Sequence, residues 1–157
     1  MSTFTIIVLT ALVIGFLYRA LKLSELIRSA LYYFSLKEEV TPANIQLQSF
    51  AFGCVCFICF PCMCFFFITP IYLFFKVNWW IPVVAFAAGL SFGSIFGYLI
   101  ERIFQLPNHQ ISSYSSFNLN AAELTYGDGQ LYRRAVFLMI LYSVVSLIIS
   151  LIIIFRV

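Results

Sequence analysis

Along the chain, long uncharged apolar runs alternate with shorter polar segments, and four of the runs set the picture. They cover about residues 4–21, 49–75, 79–100 and 135–155, the first fading out between Tyr18 and Leu21. A bilayer core about 30 Å thick takes roughly 20 apolar residues of α-helix, and each run approaches or exceeds that length. Their interiors are mainly Ile, Leu, Val, Phe, Ala, Gly, Cys and Ser, with no charge from Phe4 to Tyr18 or anywhere in the other three. Backbone polar groups in hydrocarbon must be satisfied within the segment, which requires helix. A β-barrel would instead show short segments of alternating polarity, and these runs do not alternate. The pattern predicts an all-α membrane protein, one integral membrane domain over residues 1–157 with four transmembrane helices. Cytoplasmic connections are expected at about 22–48 and 101–134.

The polar segments carry patterns of their own. Between Arg19 and Phe34, apolar residues recur at spacings of three and four (Ala20, Leu23, Ile27, Ala30, Phe34), with Lys22, Glu25, Arg28 and Ser29 between them. That periodicity predicts an amphipathic helix on the cytoplasmic face, lying at the headgroup boundary or continuing the first span. Docking of a partner is the sharper use of such a helix. Thr41-Pro42 then suits a helix start, threonine as cap and proline in the first turn. Phe50 to Phe75 is 26 residues, long for one straight crossing, and Pro61 and Pro70 each remove a helical hydrogen bond, so a kinked second span is expected. From Glu101 to Arg134 the chain is polar, with Pro107, several serines and Gly127-Asp128-Gly129, and a short helix around 120–126 is its one regular feature.

Composition agrees with the pattern: 63% of residues are hydrophobic and 10% charged. Soluble domains run at roughly 45–50% apolar and about 25% charged, so the chain lacks the polar material to coat a water-soluble surface. A soluble enzyme, a nucleic-acid binder and a disordered tail are not expected on this ground. The first run does not read as a cleaved signal, because Met1 to Thr5 carry no charged side chain and the basic residues follow the apolar stretch. Basic residues in the connections set the orientation. Arg19, Lys22, Arg28, Lys37, Arg102, Arg133 and Arg134 fall on one side and Lys76 and Arg156 on the other. Both termini are therefore expected outside the cytoplasm, with an external hairpin at Lys76, Val77 and Asn78 anchored by Tyr72, Trp79 and Trp80. The chain has no Asn-x-Ser/Thr sequon, which suits a bacterial inner membrane.

Candidate chemistry changes this picture little. Cys54, Cys56, Cys59, Cys62 and Cys64 lie within eleven residues and include two Cys-x-x-Cys spacings. On a helix, however, Cys56, Cys59 and Cys62 sweep an arc of about 120° and the outer two point elsewhere, so four thiolates do not converge. The cysteines read as small apolar residues, with S-acylation as a lesser alternative. Gly89-Leu90-Ser91-Phe92-Gly93 matches the Gly-x-Ser-x-Gly of hydrolases, yet sits in the middle of a span with no base on a neighbouring one. His109, the only histidine, has no ligand set around it. No cofactor or metal is expected.

The steric signal is more informative. Ala85, Gly89, Gly93 and Gly97 repeat every four residues through the third span, a groove that admits another helix closely. Ser143, Ser146 and Ser150 form a second stripe on the fourth span, able to bond across to another helix or back to their own. Both stripes serve either packing within one protomer or a homo-oligomer or partner interface. Pumps, proton-coupled carriers and voltage sensors place ionisable groups inside their spans, and none is seen in these. Glu101 and Arg102, at a span end, are expected to snorkel. The sequence thus points to a non-enzymatic multi-pass protein that modulates or assembles another membrane system through helix contacts, as an accessory subunit or an immunity or superinfection-exclusion protein would. Its expected partners are the lipid bilayer and another membrane protein or a second copy. A pore or small-solute channel lined by Ser91, Ser94 or the fourth-span serines of an oligomer is the alternative.

Overall fold

The computed structural model describes residues 1–36, 42–106 and 129–157, and these are helical almost throughout, with no strand among them. Four helices follow in order: α1, Thr3–Leu36; α2, Pro42–Lys76; α3, Trp80–Ile103; and α4, Gly129–Arg156. Each contains a stretch long and apolar enough to cross a membrane. The described residues are therefore all-α, and their four apolar helices are compatible with a multi-pass integral membrane protein. Lys37, the Thr41 cap, His109 and the 120–126 segment lie outside the described residues.

Local chemistry explains the helix ends. Ser2 caps α1: its Oγ accepts the Thr5 N–H at 3.3 Å and lies 2.7 Å from the Thr5 hydroxyl. α2 opens on Pro42, as the sequence suggests. A three-residue link joins α2 to α3, with Val77 N–H bonded to Leu73 O at 3.0 Å and Ile81 N–H to Asn78 O at 3.3 Å. α3 ends in a Schellman turn. Leu106 N–H donates to Glu101 O at 2.8 Å and Gln105 N–H to Arg102 O at 3.1 Å, while Gln105 takes φ 58°. Arg134 Nη1 donates to Phe104 O at 3.5 Å, reaching the same helix end.

The amphipathic stretch after Arg19 is not a separate helix but takes the second of its two expected forms: α1 runs through it unbroken to Leu36, continuing the first span. Leu23, Leu26, Ile27 and Leu31 are buried there against Cys59, Ala135, Leu138 and Met139, so the apolar face meets protein. Most of the expected 22–48 connection is thus helix. α2 continues as helix through both Pro61 and Pro70. α4 begins at Gly129, six residues ahead of the expected span.

α1 lies at the centre, packing chiefly against α3 and α4 and more lightly against α2. Along their lengths α3 and α4 do not pack on each other. Two apolar clusters fill the joints. One gathers Ala20, Leu23 and Ile27 with Leu138, Met139 and Tyr142; the other gathers Ile6, Val13 and Leu17 with Leu73, Ile81 and Ile153. Rings stitch the helices further. Phe16 of α1 stacks on Tyr142 of α4 at 5.5 Å, and Phe66 of α2 meets Phe86 of α3 edge-on at 5.5 Å. By contrast α2 turns Phe57, Phe60, Phe67 and Phe75 outward, each about two-thirds or more exposed.

Candidate functional site

The glycine groove of α3 is filled from within the protomer. Gly15 of α1 sits directly on Gly93, and a Cβ added to Gly15 would stand 2.7 Å from Gly93 Cα and 3.0 Å from Gly89 O. A Cβ on Gly89 would meet Ala11 O at 2.8 Å and the Ile14 side chain at 2.9 Å. Two backbones approach this closely only where both lack side chains at the crossing. Ala85, one turn before the glycines, is fully buried. One turn beyond, Gly97 leaves room for the stem of Arg19, which a Cβ there would strike.

That clearance lets Arg19 reach Glu101. The two form a fork: Arg19 Nε donates to Oε1 at 3.0 Å and Nη2 donates to Oε2. Glu101 is 5% exposed, so it does not snorkel as expected of a span-end carboxylate. It is a buried group matched by one guanidinium across α1 and α3. Bidentate geometry of this kind compensates much of the desolvation that burying two charges costs. The sequence reading missed the pair because its members are 82 residues apart. Gly97 is the signal that could have suggested it, a small residue one turn before a lone acid.

The second stripe lies equally deep. Ser143, Ser146 and Ser150 of α4 are all fully buried, together with Thr10 of α1 and Thr69 of α2. Ser143 bonds back to Met139 O at 2.9 Å, and Thr69 donates to Ser150 Oγ at 3.2 Å. Near the end of α4, Tyr72 donates to Ile154 O at 3.3 Å. The Oγ of Ser146, the Oγ1 of Thr10 and the phenol of Tyr142 have no partner among the described residues. These hydroxyls are buried between the helices of one protomer.

Other predicted positions stay apart from these two features. Ser91 donates to Ala87 O at 3.0 Å within its own helix and is exposed. Cys59 and Cys62 are buried, Cys56 and Cys64 half-buried and Cys54 exposed, all five as free thiols. No group of three metal-ligating side chains converges among the described residues. Pro61 is exposed on α2 and Pro70 half-buried. Of the orientation-setting residues, Arg28, Arg102 and Arg133 are exposed, Lys22 lies 3.9 Å from Glu25 and 5.7 Å from the centre of the Tyr18 ring, and Arg134 reaches Phe104 O. No protein-family model, curated protein or solved structure matches the chain, so the functional argument rests on the helix geometry itself.

Proposed function

We propose that this protein is a small non-enzymatic, multi-pass membrane protein that modulates or assembles another membrane system through helix-to-helix contact. The observation behind this reading is an asymmetry of burial. The apolar windows of α1 and α4 are 39% buried inside the protomer, whereas that of α2 is 11% buried. Both small-residue stripes are spent on internal packing, which leaves the aromatic surfaces of α2 and α3 as the faces open to another membrane protein or a second copy. A bacterial inner membrane, with both termini outside the cytoplasm, is the setting that the basic connections and the missing sequon favour. An immunity or superinfection-exclusion role is the biological version of this reading, since such a protein acts by occupying a membrane partner. The channel alternative draws less support, because the α4 serines are fully buried within one protomer.

Photo-crosslinking amino acids at Phe57 and Phe67 of α2 and at Ile95 of α3 test the proposal in the native membrane. One discrete protein adduct shared by neighbouring positions is expected, together with no solute flux in reconstituted liposomes. Adducts to lipid alone, or solute flux in the liposomes, overturn it.

A further inference from the structure

Among the buried polar groups, the phenol of Tyr142 has the fewest means of satisfying itself. Its residue is 3% exposed, and its oxygen has no hydrogen-bond partner among the described residues. A helical serine can turn its hydroxyl back to the carbonyl four residues earlier, as Ser143 does. A tyrosine oxygen at the far end of a ring cannot. The ring is held flat against Phe16, with an interplanar angle of 11°. Helical side chains lean towards the N-terminal end of their own helix, which carries the phenol towards the part of the bundle where Ile100 and Phe104 pack on the same apolar cluster. The Arg19–Glu101 fork lies there: Arg19 stands one turn beyond Phe16 on α1, and Glu101 follows Ile100 on α3. Each Glu101 oxygen accepts one N–H from Arg19 and keeps a further lone pair.

We propose that Tyr142 and Glu101 hold an ordered water between them at the junction of α1, α3 and α4, the phenol donating to the water and the water donating to the carboxylate. A buried water needs two to four polar partners. The phenol, the carboxylate and the unused N–H groups of Arg19 supply them. The chemistry selects water over a cation: the single carboxylate is already matched by a guanidinium, and the phenol is neutral. Such a water gives α4 a polar tie to the α1–α3 pair, although α3 and α4 do not pack along their lengths.

Tyr142→Phe tests the site, because it removes one oxygen and keeps the ring. Deleting an orphaned buried hydroxyl stabilises a fold, whereas deleting one that holds a water breaks a link and destabilises it. The expected result is a fall of about threefold or more in the folding equilibrium constant during detergent unfolding. Radiolytic labelling of the folded protein in nanodiscs with ¹⁸O water is the second readout, and it uses the unaltered chain. Incorporation of ¹⁸O at Tyr142 is expected, since the label must come from water beside the ring. An unchanged or higher stability of Tyr142→Phe, or absence of label at Tyr142, overturns the proposal. Should the Phe variant fail to insert, the labelling result decides alone.

Discussion

Gly15→Ala is the sharpest probe of the crossing between α1 and α3. The added methyl would stand 2.7 Å from Gly93 Cα and 3.0 Å from Gly89 O. Carbon atoms in contact settle at about 3.5–4.0 Å, so the helices must part by roughly 1 Å at this point. A gap of that size forfeits about a quarter to a half of each dispersion contact that is stretched, and overpacking of this kind typically costs about 1–3 kcal/mol. The intrinsic preference of helices for alanine returns up to about 1 kcal/mol. A net loss of about 1–2 kcal/mol is expected, or roughly a five- to thirtyfold fall in the folding equilibrium constant. Gly53→Ala on α2 is the control, since its Cβ would meet nothing within 4 Å. It should leave stability unchanged or raise it slightly. Detergent titration followed by the fluorescence of Trp79 and Trp80, at the start of α3, measures both. The double variant Gly15→Ala/Gly93→Ala adds a further check: the two methyls compete for one gap, so the double should cost less than the sum of the singles. Equal midpoints for Gly15→Ala and Gly53→Ala would refute the crossing.

Arg19→Met leaves Glu101 buried without its cation and should cost roughly 3 kcal/mol, with Arg19→Met/Glu101→Leu recovering most of it; detergent midpoints of the singles and the double report the difference. Ser150→Ala and Thr69→Val should show a coupling energy of about 0.6 kcal/mol in a double-mutant cycle, typical of a hydrogen bond between membrane helices. Gln105→Gly should stabilise by about 1 kcal/mol, because glycine occupies the left-handed position of the Schellman turn without the penalty that glutamine meets; thermal unfolding in micelles reads the shift. A topology reporter fused at Ser115 should read as cytoplasmic, and an external reading would sink the orientation drawn from the basic connections.

How far the sequence reveals this molecule differs from element to element. The four spans are legible because a 30 Å apolar slab imposes its own length on the chain. The extension of α1 is legible only in part: the three-and-four spacing of Leu23 and Ile27 marks the apolar face, whereas its cover, α4, is a fact of packing. Hydropathy alone averages over all faces of a helix and loses that face. The groove of α3 is visible as a repeat, yet its occupant is a single glycine in α1, and one glycine makes no pattern. Glu101 reads as a surface residue because burial of a carboxylate depends on a partner brought from 82 residues away. The orphaned hydroxyls of Thr10, Ser146 and Tyr142 are likewise facts of packing, since each residue looks unremarkable in its own window.

The central place of α1 also fixes an order of events during synthesis. Its two main neighbours, α3 and α4, follow it in the chain and do not cover for each other. At about 5–20 residues per second, the 82 residues between Arg19 and Glu101 take the ribosome roughly 4–16 s. Throughout that interval the guanidinium must be kept at the membrane boundary by water, lipid phosphate or the insertion machinery. Of these four helices, the one made earliest therefore waits longest to complete its packing, and a pause in translation before α3 would leave α1 as the exposed half of an unfinished joint.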